Sequence, residues 1–410
     1  MIVPELRFPE FKNSWSYPNG DELFEQISDK DHNSDLPILA ITQEHGAIPR
    51  DKIDYNVSVT DKSIESYKVV QVGDFIISLR SFQGGIEYSE YKGLCSPAYI
   101  ILRRKNESDV VNEFFKQYFK SKSFIRDLNK NLEGIRDGKM VSYKQFSDIT
   151  IPKPNPLEQQ KIASCLSSLD ELVTAHTQKL DALKAHKKGL MQQLFPAEGE
   201  KIPKLRFKEF EESGEWKEKE LGNCLISHPE YGLNAPAVPY SDSLPTYLRI
   251  TDISEEGLFL KDDKVSVDRE VTDDNYLEEG DIVLARTGAS VGKSYKYRKE
   301  DGKLVFAGFL IRVKPDIGKL VSELLYQYLF TDRYWKWVAF TSQRSGQPGI
   351  NGNEYASLQI PLPPSKEEQQ IIADSLSSLD ELITAQAEKI EQLKMHKKGL
   401  MQGLFPTIKA

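Results

Sequence analysis

The chain is written twice, and that repeat limits what it can fold into more than any other feature. Residues 161–196 read KIASCLSSLDELVTAHTQKLDALKAHKKGLMQQLFP, and residues 371–406 read IIADSLSSLDELITAQAEKIEQLKMHKKGLMQGLFP. Aligned without gaps, 24 of these 36 positions are identical. Self-similarity of this kind marks a repeated structural unit. Fainter echoes surround it. VPELRFPEF at Val3–Phe11 returns as IPKLRFKEF at Ile202–Phe210, each soon followed by a tryptophan, Trp15 or Trp216. VGDFIISLR at Val72–Arg80 returns loosely as EGDIVLAR at Glu279–Arg286, and DITIPKPNPLEQQ as LQIPLPPSKEEQQ. The order is A–B–A′–B′, with close copies of B and divergent copies of A. The B segments therefore share one job, and each A segment does its own version of a related job.

Each B segment carries a heptad seam. Ile162, Leu166, Leu169, Val173, His176, Leu180, Leu183, Lys187, Leu190 and Leu194 follow steps of four and three, and the second copy repeats the pattern from Ile372 to Leu404. Such spacing puts one apolar stripe on a long helix. Pro156 and Pro364 mark the starts, and Pro196 and Pro406 the ends. A helix of this length spans about 50 Å. An apolar stripe must be buried, and pairing the two copies is the economical way. The long connection through A′ permits either orientation. Antiparallel pairing makes the molecule pseudo-twofold, and matching the polar seam residues sets His176 against Lys397 and Lys187 against Gln386. The repeated outer face is either solvated charge or a surface read by two identical partners; identity at exposed as well as seam positions favours the second.

The A segments mix short β-rich runs (LPILAIT, DFIISL, AYIILR; TYLRITDI, DIVLAR, FLIRVKP) with one helical stretch each. Both read as compact α+β domains. A Gly-rich polar loop follows each helical stretch. Residues 1–156 hold 21 basic and 23 acidic groups, and residues 197–363 hold 22 and 28. Within this acidic background the basic groups cluster. Arg286–Lys299 carries Arg286, Lys293, Lys296, Arg298 and Lys299 with no acid, and Lys116–Lys139 has seven basic groups against three acidic ones. Local patches on loops suit a phosphate backbone, while Arg, Lys, Gln and Asn there can read base edges; solvated loops on an ordinary domain are the plainer alternative.

Catalytic signals are missing. DIVLARTGASVGKS, Asp281–Ser294, looks like a phosphate-binding loop. However, that loop needs four residues between its glycines, and Gly288 and Gly292 have three between them. The twin stretch in segment A has no Gly-Lys-Ser. The six histidines form no i, i+4 metal pair, and neither a nucleophile elbow nor a dinucleotide fingerprint occurs. Three scattered cysteines give neither a disulfide framework nor a metal pattern. No run approaches 18 apolar residues, and MIVPELRFPEF lacks the basic and apolar regions of a secretory signal. The expectation is a reduced, cytoplasmic, non-catalytic chain with no cofactor or metal of its own.

The A–B–A′–B′ order, the LRF…W heads, the EQQ joints and the SSLDEL…HKKGLMQ helices closely resemble the specificity (S) subunits of type I restriction–modification enzymes. The resemblance covers essentially the whole chain. It implies an α+β fold with two target recognition domains joined by two long helices in an antiparallel coiled coil. The divisions expected are residues 1–156 and 197–363 for the recognition domains, and 157–196 and 364–410 for the repeated helices. It implies reading of a bipartite double-stranded DNA target, docking of two methyltransferase (M) subunits, and recruitment of restriction (R) subunits. S-adenosylmethionine, ATP and Mg²⁺ would belong to those partners. An enzyme with a cryptic site in the divergent halves, or a pure assembly protein, are the competing readings. Loop position, local charge and correspondence between halves nominate the DNA-contacting residues. They are Arg80, Ser81, Gln83, Arg136 and Lys139 in the first half, and Arg286, Thr287, Lys293, Arg344, Gln347 and Asn351 in the second.

Overall fold

A computed structural model describes residues 4–53, 64–130, 141–344 and 346–406. It divides into two compact units, Met1–Thr177 with Glu388–Ala410, and Gln178–Ala387. The first unit holds a four-stranded sheet of β1 (Phe24–Ile27), β2 (Phe75–Ile77), β3 (Glu87–Tyr88) and β4 (Ile100–Arg104), ordered β1-β4-β2-β3. The second unit repeats it with β5 (Glu230–Tyr231), β6 (Ile282–Ala285), β7 (Ser294–Lys296) and β8 (Leu310–Val313), ordered β5-β8-β6-β7. All pairs in both sheets are antiparallel. The central strands β2 and β6 are buried throughout, as unbroken apolar runs demand. The repeated Gly-Asp has a structural job. Asp74 accepts the Gln71 amide at 2.8 Å and the Arg103 guanidinium at 2.8 Å. Asp281 accepts the Glu278 amide at 3.0 Å, with Arg312 at 3.5 Å.

The helical stretch of each A segment is two helices. The first unit has Asn112–Tyr118 and Lys122–Lys130; the second has Ser322–Tyr328 and Asp332–Thr341. A hydroxyl breaks each run: the Phe124 amide donates to Ser121 Oγ at 3.3 Å, and the Tyr334 amide to Thr331 Oγ1 at 3.3 Å. A side-chain oxygen at that place starts a new helix rather than continuing the old one.

The B segments form helices Pro156–Leu194 and Lys366–Leu404. Asn155 caps the first by accepting the Glu158 amide at 3.0 Å, and Ser365 caps the second through the Glu368 amide at 3.1 Å. Among the described residues no helix is long and apolar enough to cross a membrane. In the first unit Ile162, Ala163 and Leu166, early in one helix, share a core with Leu404 and Phe405, at the end of the other. Phe405 packs 5.6 Å from Phe114 and 5.5 Å from Tyr118. In the second unit Met191, Leu194 and Phe195 share a core with Ile372, Ala373 and Leu376, and Phe195 lies 5.7 Å from Tyr328. Inside each unit the two helix segments therefore run antiparallel.

Their register differs from the one that matches polar seam residues. Lys397 meets Asp170 at 2.6 Å rather than His176, and Lys187 meets Asp380 at 2.6 Å rather than Gln386. The residue numbers of both pairs add to 567, not 573. A half-buried ammonium gains more from a carboxylate than from a neutral polar group. Each Asp also accepts an amide of its own unit, Gln117 at 2.9 Å for Asp170 and Gln327 at 2.8 Å for Asp380. The identity of SSLDEL and HKKGLMQ is thus partly internal: the Asp of one copy needs the Lys of the other.

Candidate nucleic-acid interface

In the second unit, β6 runs out into Arg286, where three chain segments meet. The Arg286 amide donates to Phe309 O at 3.0 Å, and the Arg286 carbonyl accepts the Ile350 amide at 2.9 Å. Thr287 bridges to Gly349, and the Gly288 amide donates to Pro348 O at 3.0 Å. Two buried tyrosines fix the platform beneath: Tyr355 Oη donates to Ala285 O and Tyr334 Oη to Gly292 O, each at 2.7 Å. Burial pushes both phenols above their ordinary value, so they stay protonated donors. Gly292 has φ +88°, and a Cβ there would lie 2.7 Å from Val338 Cγ1, so the turn admits only glycine. The loop's amides are spent inside the protein: Gly288 donates to Pro348 O, Val291 to Gly288 O, Gly292 to Ala285 O and Lys293 to Ser290 O. The Lys293 ammonium lies on Glu255 at 2.6 Å. No phosphate cradle is left.

The nominated residues of this half fall at one edge of the unit in different states. Arg286 is half-buried, with its guanidinium 4.9 Å over the Tyr231 ring. Thr287 is half-buried and Gln347 exposed beside it. Arg344 closes the end of helix Asp332–Thr341 by donating to Thr341 O at 2.9 Å and Gln343 O at 2.8 Å, and it pairs with Glu354. Asn351 caps helix Gly352–Ala356, accepting the Glu354 amide at 3.0 Å. Lys293 is only 14% exposed. Arg286, Thr287 and Gln347 thus reach the surface, Arg286 with one nitrogen donating to Gly308 O at 3.5 Å, whereas Arg344, Asn351 and Lys293 hold the loops.

In the first unit Arg80 and Gln83 are exposed in the turn after β2, and Arg80 has no side-chain partner among the described residues. Ser81 is buried, and its Oγ accepts the Ser78 amide at 2.9 Å, so it shapes the turn. Arg136 and Lys139 lie outside the described residues. Two aromatic residues escaped the sequence reading. Phe309, 63% exposed, sits in the turn whose carbonyl holds Arg286, and Phe340, 79% exposed, ends the helix before Arg344. Nothing in their local sequence separates them from core phenylalanines. Among the described residues, no group of three or more His, Cys, Asp or Glu is placed to hold a metal.

The family model described as type I restriction modification DNA specificity domain matches residues 19–185 and again 239–395. The MjaVIII specificity subunit of Methanocaldococcus jannaschii, a type I restriction enzyme subunit, is 27% identical over 367 residues. That match covers 85% of this chain and 81% of the relative. The crystal structure of a type I restriction–modification S subunit from M. genitalium superposes with TM-score 0.58 at 15% identity, covering 100% of both chains. A chain from a structure of a type I R-M system gives TM-score 0.55 at 16% identity, over 97% of this chain and 100% of that one.

Proposed function

Because the chain belongs to the family of type I restriction–modification DNA specificity domains and carries two of them, we propose that it is the non-catalytic subunit that reads a bipartite DNA target. Residues 1–156 and 197–363 are its two target recognition domains, each reading one half-site, and segments 157–196 and 364–410 are the shared helices. The observation that carries this is the repeated sheet, β1-β4-β2-β3 and β5-β8-β6-β7. Its β2 and β6 turns present different residues at equivalent places: Arg80 and Gln83 in one, Arg286 and Thr287 with Gln347 in the other. One scaffold with two different faces suits two different half-sites.

Arg286 suits a guanine edge, since a planar guanidinium steadied by an aromatic ring is ready for a bidentate contact. Arg80, Gln83, Arg136 and Lys139 do the corresponding work in the first half. Lys293, Arg344 and Asn351 set the loop shape, as Ser81 does for its turn. The chain acts in the cytoplasm as the scaffold for two methyltransferase subunits and for restriction subunits. S-adenosylmethionine, ATP and Mg²⁺ are bound by those partners. Methylome sequencing of the strain with and without this gene tests the reading. One bipartite methylated motif should vanish with the gene; an unchanged methylome contradicts it.

A further inference from the structure

In both units a tight turn beside the reading arginine holds one large apolar side chain out in solvent. In the first unit the turn is Ser78–Ser81, closed by the Ser81 amide donating to Ser78 O at 3.2 Å, and Leu79 at its corner is 54% exposed. Side chains fix this turn. The Ser78 amide donates to Ser81 Oγ at 2.9 Å, the Arg80 amide to Ser78 Oγ at 3.3 Å, and Gln43 Nε2 to Arg80 O at 3.2 Å. In the second unit the turn is Ala307–Leu310, closed by the Leu310 amide donating to Ala307 O at 2.8 Å, with Phe309 at its corner. The Gly308 amide donates to Leu233 O at 2.8 Å, and Phe309 O accepts the Arg286 amide. Ala307 and Leu310 are buried on either side, so the Phe309 ring cannot fold inward without breaking the turn.

A single exposed apolar residue carries no message by itself. Here each one is coupled to an arginine. Leu79 adjoins Arg80 in the chain, and Phe309 lines one cleft of about 630 Å³ together with Arg286 and Tyr231. No Asp or Glu lines that cleft, although the whole chain has a net charge of -8 at pH 7. Its other arginine, Arg249, is taken up by Asp252 at 2.6 Å. What the cleft offers a ligand is the Arg286 guanidinium beside an apolar ring. A phosphate backbone would use the arginine but not the ring. The major-groove edge of DNA uses both: guanine presents O6 and N7 to a guanidinium, and thymine alone of the four bases presents a methyl group.

Resting on the specificity-subunit reading, we infer that each recognition domain reads a thymine by its 5-methyl group, through Leu79 in the first unit and Phe309 in the second, beside the base pair its arginine reads. The test uses the full-length chain assembled with its purified methyltransferase subunits and a duplex carrying the methylated motif. Uracil replaces each thymine of the motif in turn, on either strand; it keeps the hydrogen-bonding edges and lacks only the methyl. Fluorescence anisotropy reads the affinities. In each half-site one uracil should weaken wild-type binding about three- to fivefold, the value of burying one methyl group. Phe309→Ala should weaken the thymine duplex by a similar factor and erase the uracil effect in one half-site only, and Leu79→Ala should do so in the other. Both side chains are exposed, and unchanged thermal unfolding will show that the variants fold. If no uracil position loses its effect in either variant, the inference falls. It falls too if Phe309→Ala weakens thymine and uracil duplexes by the same factor, which would make the ring a wedge between bases. A wild-type complex that does not prefer the motif to a scrambled duplex sinks the specificity-subunit reading itself; intact preference without a uracil effect removes the methyl contact alone.

Discussion

The Glu158 carboxylate is fully buried and is closed by the Arg7 guanidinium through two hydrogen bonds, Nε to Oε1 at 2.7 Å and Nη2 to Oε2 at 2.8 Å. Trp15 Nε1 donates to the same carboxylate at 3.1 Å. Arg206, Glu368 and Trp216 repeat the arrangement at 2.7, 2.8 and 3.2 Å. The heads and joints of the sequence are therefore two ends of one lock. The Leu6 amide donates to Gly403 O at 2.9 Å and the Leu205 amide to Gln193 O at 3.0 Å, so each head also fastens the end of a long helix. The next residue of each joint does a second job: Gln159 accepts the Val111 amide at 2.9 Å and Gln369 the Val321 amide at 3.0 Å.

Removing one partner leaves a buried charge without compensation. Arg7→Ala should destabilise the first unit by about 3–5 kcal/mol, and Arg206→Ala the second by a similar amount. Urea unfolding of each variant measures this. Losses below about 1 kcal/mol would show that the carboxylates find other partners.

The antiparallel register predicts coupling between distant positions. Lys187 and Asp380 are 13% and 34% exposed, so solvent screens the pair in part. A double-mutant cycle of Lys187→Ala and Asp380→Ala should return a coupling of about 1 kcal/mol. The same cycle on Asp170 and Lys397 should agree, while Lys187 with Gln386 should show none. Coupling of Lys187 to Gln386 instead would restore the register that matches polar seam residues.

The repeat, the long helices, the α+β halves and the lack of catalytic motifs are legible in the sequence because each is local or periodic. The ion pairs are not. Lys397 and Asp170 lie 227 residues apart, and periodicity says where a seam is but not which carboxylate stands beside it. Matching polar seam residues gave a register six positions away for that reason. The partner of Lys293 is not legible because Glu255 is 38 residues away, and the capping by Arg344 and Asn351 is not, because a cap and a contact residue share the same loop chemistry. Arg286 stands out in the sequence because strand end, charge and loop coincide there, and in the structure it directly follows β6.

Thiol reactivity should separate the three cysteines. Burial pushes the Cys95 thiol up to about 12, and Cys224 is also raised by burial, while Cys165 is half-buried on a long helix. At pH 8 a thiol-specific alkylating agent should label Cys165 first, with Cys95 and Cys224 protected until unfolding. Because the folded thiol of Cys95 is raised, its contribution to stability is whole below the ordinary thiol range. It falls away as pH climbs from about 9 toward about 12. Labelling followed by peptide mass mapping checks the order; prompt labelling of Cys95 would contradict the buried site.

Arg286→Ala should cost about 1–3 kcal/mol in binding of the cognate DNA by the assembled complex and relax one base position in one half-site. Gel-shift competition with single-base variants reads this. Uniform weakening across all sequences would make Arg286 a phosphate contact instead.

If the two halves read DNA independently, a unit exchange shows it most directly. Residues 12–150 are replaced by the equivalent segment of another family member, leaving Arg7, Glu158 and both long helices in place. The methylated motif of cells carrying the hybrid is then sequenced. One half of the bipartite motif should change while the other half stays as in wild type; a motif altered in both halves, or in neither, contradicts the account.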